Sequence, residues 1–241
     1  MTFLTAEWRK LAFANYPVEA SVLAEYVPAG TELDTWEGRP YVSLIGFMFR
    51  DVRLLGVKVP FHVNFEEVNL RFYVRRRVDG QWRRGVVFVK EIVPKPAITF
   101  VANTLYGEAY ETRPMWHRWT ETDQGRRAQY QWRVGERWQT FSVTAERQAT
   151  AIPEGGAVEF ITEHYWGYSR KDAHRTTEYQ VAHPRWEKYR VREHTIEVDF
   201  ALNYGDRFAF LNSSTPDSVF LAEGSPIQIM GKQTLRFSDQ D

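Results

Sequence analysis

Apolar and polar residues alternate most regularly between Asn64 and Pro96, NFEEVNLRFYVRRRVDGQWRRGVVFVKEIVPKP. A period of two marks strands with unlike faces. Asp79-Gly80 between the two runs has the composition of a type I′ turn. That turn sets Asn69 opposite Lys90 and Val68 opposite Glu91. One face then carries Val68, Leu70, Phe72, Val74, Val87 and Val89, with Glu91 among them; the other carries Glu67, Asn69, Arg71, Tyr73 and Lys90. A carboxylate on an apolar face is costly unless paired or protonated.

The same patterning predicts an extended segment over Trp8–Tyr16, a short helix from Pro17 to Tyr26 and an apolar strand over Tyr41–Phe49. Ala97–Tyr106 has apolar residues at helical spacing and ends at Gly107, which reads as a short helix with a glycine stop. The chain is extended again from Glu108 to His117. A second hairpin follows over Ala128–Val134 and Arg137–Ala145, turning at Gly135-Glu136. Val158–Glu163 gives one or two helical turns. Thr176–Ala182 and Trp186–His194 read as a strand pair, Glu197–Tyr204 as a short helix, and Val219–Leu221 and Ile227–Met230 as closing strands. Many strands with short helices give a β-dominated α+β fold. A closed barrel or strongly curved sheet is preferred because closure removes exposed edges. Pro153-Glu154-Gly155-Gly156 is too short a break to divide the chain, so a single domain over residues 1–241 is expected.

Composition narrows the function. Lys plus Arg equals Asp plus Glu at 31 each, which argues against a nucleic-acid partner. The clusters Arg75-Arg76-Arg77, Arg83-Arg84 and Arg126-Arg127, with Trp82 and Trp132, suit RNA stacking or, more simply, a solvated hairpin tip. No cysteine is present, so disulfides and thiolate chemistry are excluded. There is no apolar run of membrane-spanning length and no secretory leader pattern, so no membrane partner and a cytoplasmic location are expected. No phosphate loop, dinucleotide fingerprint, nucleophile elbow or HExxH occurs, and the six histidines lack helical ligand spacing. Neither a cofactor nor a metal is expected.

The segments ELDTWEGRPYVSLIGFMFRDVRLLG, PFHVNFEEVNLRFYVRR, GVVFVKEIVPKPAITFVANTLYGEAY and FITEHYWGYS resemble the YqjF-like family of uncharacterised bacterial proteins. That family is in turn distantly similar to acetoacetate decarboxylase. The resemblance implies a β-barrel around a pocket and, in the enzyme, a Schiff-base lysine followed by a second lysine. The nearest text here is Glu91-Ile92-Val93-Pro94-Lys95-Pro96, with a shorter spacing and Pro96 where the second lysine would stand. A neighbouring cation or an apolar pocket is what lowers a lysine's pKa for attack.

Candidate chemistry follows from these two lines. Glu91 is either a proton-handling acid or a carboxyl satisfied at a strand end. Glu67, Asn69, Arg71 and Lys90 line a ligand site if their face is interior, Arg71 gripping a carboxylate, and are an ordinary polar surface if it is not. Tyr106, Glu108 and Tyr110 share one face and suit a pocket mouth or an edge strand. Glu163, Tyr165 and Tyr168 close over a pocket, or the stretch packs as a helix end. Catalytic candidates are therefore Glu91, Lys95 and Glu163. The leading expectation is a small, anionic organic ligand in a barrel pocket. The rivals are a lyase or decarboxylase acting on a small keto acid, and a partner-interaction module without catalysis.

Overall fold

The structure is a computed structural model and describes residues 1–238. Its strands are β1 (Thr2–Pro17), β2 (Glu32–Leu33), β3 (Tyr41–Leu54), β4 (Phe65–Val78), β5 (Gln81–Val93), β6 (Tyr110–Thr112) and β7 (Met115–Thr122). They continue with β8 (Gly125–Val134), β9 (Arg137–Ala151), β10 (Trp166–Arg170), β11 (Arg175–Ala182), β12 (Glu187–Glu197), β13 (Ser218–Met230) and β14 (Gln233–Arg236). Among the described residues four short α-helices lie between them, α1 (Ala20–Leu23), α2 (Pro96–Val101), α3 (Ala157–Thr162) and α4 (Phe200–Tyr204), with 3-10 turns over Ala24–Tyr26 and Asp206–Ser213.

Seven of the strands close into a ring, in the order β1-β3-β4-β5-β10-β11-β13 and back to β1. Two seams are short. β5 meets β10 in parallel only at Gly85 and Val86, and β11 meets β13 only at Val181 and Ala182. The last residues of β5, from Glu91 to Val93, pair instead with β6. From β13 the sheet continues outward through β12, β9, β8 and β7. This wing packs on the outside of the ring, with Tyr130, Trp132, Phe141 and Val143 meeting Leu44, Leu70 and Phe72 in one core. A second core, including Phe13, Ile45, Phe47, Tyr73 and Val86, fills part of the ring's interior.

The 65–93 hairpin turns at Asp79-Gly80 with φ of 49° and 78°, as a type I′ turn requires. Its register departs from simple alternation. Phe72 pairs with Val87 and Arg71 with Phe88, but Leu70 pairs with Lys90 and Asn69 with Glu91. Val89 is thus the extra residue of a β-bulge. A slip of one residue exchanges the two faces beyond it. Glu91 therefore leaves the apolar face and joins Glu67, Asn69 and Arg71, and Lys90 leaves that group and pairs with Glu111 at 2.9 Å. The polar face is the one turned into the ring.

Other expectations change for tertiary reasons. The strands over 175–197 do not pair with each other: β11 joins β10, β13 and β14, and β12 joins β9 and β13. The two closing segments are one continuous strand, β13. Trp166–Arg170 is a strand rather than a helix end, held by β11 and by Gly85 and Val86. Trp132 lies buried in the outer core and donates to Asn203 at 2.6 Å, so it presents no stacking surface beside Arg126. At the tip, Arg76 and Arg83 are bound to the buried Glu178, while Arg75 stacks on Trp82 at 4.3 Å.

Gly224 shows how tightly β1 and β13 are fitted. Its φ is +82°, and a Cβ there would stand 2.0 Å from the Trp8 carbonyl oxygen. An L side chain would meet both left-handed strain and a backbone clash. Gly224→Ala is expected to lower stability by at least about 2 kcal/mol. A denaturant midpoint equal to that of the parent protein would contradict this.

Candidate functional site

The interior ladder of β4 runs Phe65, Glu67, Asn69, Arg71, Tyr73 along the ring. At the Tyr73 end the ring is plugged by α3, whose Phe160 packs on Tyr73, Tyr41 and Trp36. At the Phe65 end α2 and the π-helical turn after it (Ala102–Tyr106) cover a cavity of about 270 Å³. Its walls are apolar, from Phe3, Phe49, Val52, Phe65, Ile98 and Val101, and its floor carries Glu91, Glu108, Tyr110 and Tyr179. A smaller chamber of about 60 Å³ lies deeper, bounded by Glu67, Asn69, Arg71, Phe88 and His164. Glu91, Tyr110 and Tyr179 line both spaces and form a neck between them.

Three carboxyls converge on this neck from separate elements. Asn69 Nδ2 donates to Glu67 Oε1 at 2.9 Å, and the Tyr110 hydroxyl donates to Glu67 Oε2 at 3.0 Å. The Tyr179 hydroxyl donates to Glu108 Oε1 at 2.8 Å. Glu91 is 3% exposed, and its Oε2 has no hydrogen-bond partner. Burial drives all three pKa values up. Burial pushes Glu67 to about 7 even though the hydrogen bonds from Asn69 and Tyr110, and then the Arg71 charge, pull it down. Glu108 rises to about 8 through burial and then the Glu67 charge. Glu91 is raised well above the usual carboxyl range by burial, then by Glu108 and Glu67. Near neutral pH Glu91 and Glu108 are thus mainly protonated and Glu67 is divided between its two forms, so the neck is not a block of negative charge.

Arg71 is the cation of the inner chamber. It is 8% exposed, and its guanidinium lies 5.6 Å from the ring centres of both Phe13 and Tyr73. One terminal nitrogen donates to the Ile161 carbonyl at 3.3 Å, while Nε has no partner. No carboxylate among the described residues lies within ion-pair distance of it.

On the other side of Tyr73, His164 Nε2 lies 3.2 Å from Asp34 Oδ2, which also accepts from Arg84 at 2.6 Å. Burial lowers the His164 pKa to about 4, so the ring is neutral near pH 7 and donates its Nε2–H to the carboxylate. Burial alone would raise Asp34, but the hydrogen bonds from His164 and Arg84 outweigh it. His164 Nδ1 is left buried and unpartnered.

The structure brings together Glu67, Asn69, Arg71, Glu91, Tyr106, Glu108 and Tyr110 along the two chambers. It places the remaining candidates elsewhere. Lys90 is outside the ring with Glu111. Lys95 is half-buried at the start of α2 and lines neither chamber. Glu163 accepts from Tyr165, whose ring lies against His183 at 4.8 Å. Tyr168 is fully buried in the larger core. His164, Asp34 and Tyr179 were not singled out from the sequence. His164 adjoins Glu163 in an aromatic, ionisable stretch, which is a usable signal; Tyr179 reaches the neck only because β11 closes on β13, and no local pattern reports that.

Comparisons place this architecture among known proteins. The ring and its wing superpose on the enduracididine biosynthesis enzyme MppR complexed with pyruvate, with a TM-score of 0.66, 12% identity, and coverage of 100% of this chain and 93% of that one. Acetoacetate decarboxylase from Legionella pneumophila matches with a TM-score of 0.63 and 10% identity over 97% of this chain and 86% of that one. An acetoacetate decarboxylase-like enzyme from Sphingomonas wittichii RW1 gives 0.61 and 12%, covering 98% and 94%. At these identities the likeness is one of fold. In sequence, the uncharacterized protein YqjF of Bacillus subtilis (strain 168) is 40% identical over 68 residues, a match that spans 28% of each chain. The model of the family DUF2071, described as an uncharacterized conserved protein, matches residues 5–226. The chain, an acetoacetate decarboxylase-like barrel with a protonated neck above a buried arginine, therefore belongs to the DUF2071 family.

Proposed function

We propose that this protein binds a small organic anion inside its ring of strands, with Arg71 as the charge anchor and Glu67, Glu91 and Glu108 holding protons beside it. The observation that carries this reading is the isolation of Arg71. A buried charge without a counter-ion costs several kcal/mol, and proteins remove that cost by pairing. Arg71 has a chamber in front of it, an unpartnered Nε and no carboxylate within ion-pair distance. A carboxylate ligand supplies the missing charge in bidentate form. At pH 6 the neck acids, their pKa values raised by burial, are mainly protonated and do not oppose its entry. Pyruvate, held by a protein of the same fold, is an anion of this class.

Lysine-dependent lyase chemistry finds less support. Neither chamber is lined by a lysine among the described residues, Lys95 included. Glu91 remains suited to proton donation, because a carboxyl with a free oxygen and a raised pKa keeps a proton that it can give to a ligand.

Thermal unfolding at pH 6 with acetate, propionate, pyruvate and benzoate tests the reading. A ligand at one hundred times its Kd stabilises by about 2.7 kcal/mol, worth several degrees in Tm. Arg71→Met is expected to abolish that rise while leaving the unliganded protein as stable as before or more so, since it removes an unpaired buried charge. A Tm unmoved by every carboxylate would sink the proposal.

A further inference from the structure

We infer that the natural ligand class is a carboxylic acid with an extended apolar body, its head on Arg71 and its chain running through the neck into the outer cavity. This rests on the reading that Arg71 holds a carboxylate, and adds what lies at the other end. The two spaces differ in size and chemistry. A cavity of ~150 Å³ accommodates benzene, so each heavy atom needs roughly 25 Å³. The inner chamber, about 60 Å³, then takes two or three heavy atoms, the size of a carboxylate group. The outer one, about 270 Å³, takes roughly ten more.

A short keto acid would leave the outer cavity empty. That cavity is walled by Phe49, Val52, Phe65, Ile98 and Val101, with His62 the one polar side chain on its wall apart from the floor groups and Tyr106. Large apolar cavities of this kind are favourable places for hydrocarbon. The geometry along β4 agrees. Alternate residues on one strand face are about 7 Å apart, so Arg71 and Phe65 lie three such steps apart, with Glu67 and Asn69 between them. A ligand spanning that depth is long and thin. Glu91 is 3% exposed with a free oxygen and lines both spaces. It stands where such a chain would pass, placed to hydrogen-bond a polar atom near the carboxylate.

Isothermal titration of the full chain with straight-chain monocarboxylates, from propionate to decanoate, at pH 6 tests the inference. Kd should fall about fourfold per added methylene until the outer cavity is filled. Ala102→Phe, at a residue lining that cavity, should remove this gain in affinity with chain length. Affinity independent of chain length, with binding still lost in Arg71→Met, would overturn the inference and leave the anion reading standing. Absence of binding at every length would sink both. Alkanols of equal length binding as tightly as the acids would overturn the head-group assignment, and with it the proposed ligand class. Because the length series uses the unaltered protein, it decides the matter even if Ala102→Phe fails to fold.

Discussion

Glu91→Gln makes the protein more stable at pH 9 and nearly neutral in effect at pH 5. Glu91 is buried with one oxygen unpartnered, and its carboxyl is held well above the ordinary range by burial and by Glu108 and Glu67. In the unfolded chain it titrates near 4.3. The folded form therefore binds the proton more tightly, and stability is complete below the unfolded pKa. It falls as pH rises toward the folded pKa, by about 1.4 kcal/mol per unit for each such group. Glu67, at about 7, and Glu108, at about 8, add to the same slope over the same window. At pH 9 Glu91→Gln is expected to be the more stable protein, because the unfolded parent chain gains from ionising Glu91 and the buried carboxyl does not. Chemical denaturation of both proteins at pH 5, 7 and 9 measures it; parallel pH profiles would refute the account. The same ionisation places negative charge in front of Arg71, so carboxylate binding should weaken above about pH 8.

A second buried glutamate behaves in the opposite sense. Glu178 on β11 is fully buried, yet it binds Arg76 at 2.9 Å, Arg83 at 2.9 Å and the side chain of Gln233. Burial would raise its pKa, but the hydrogen bonds from Arg76 and Gln233 and the charge of Arg76 bring it below the usual value. Its contribution is present above the unfolded pKa and lost as pH falls through the folded one. Glu178→Gln leaves two arginines facing a neutral amide and is expected to cost about 3 kcal/mol at pH 7. The cost should shrink below pH 4, where the parent carboxylate also becomes protonated. A variant as stable as the parent at pH 7 would show that the two arginines are satisfied by solvent. The two glutamates differ in their partners: Glu178 binds Arg76, Arg83 and Gln233, whereas Glu91 has an unpartnered oxygen beside a cavity. A destabilising group kept at a cavity wall is what a binding or proton-transfer role explains.

The type I′ turn at Asp79-Gly80, the long strand pair around it and the short helix before Gly107 were legible because each follows from local backbone chemistry. The family resemblance was legible because its segments are long. The face of the hairpin that turns inward was not. Alternation specifies two faces but carries no sign, and both faces here mix polar and apolar residues. The bulge at Val89 was equally silent, since one extra residue leaves no mark on composition while moving Glu91 and Lys90 to opposite faces.

What the sequence by itself determined about this protein is a β-rich chain with its hairpins, a polar stripe containing Glu67, Asn69 and Arg71, and membership of a family. What only the tertiary structure decided is that β11 joins the ring and brings Tyr179 to the neck, that β6 pairs with β5 and sets Glu108 beside Glu91, and that Arg71 has no carboxylate within ion-pair distance among the described residues. Hairpin turns and periodicity are short-range and can be read along the chain. The closure of a barrel joins residues far apart in sequence, and only that closure removes water from the carboxyls and gives them their chemistry.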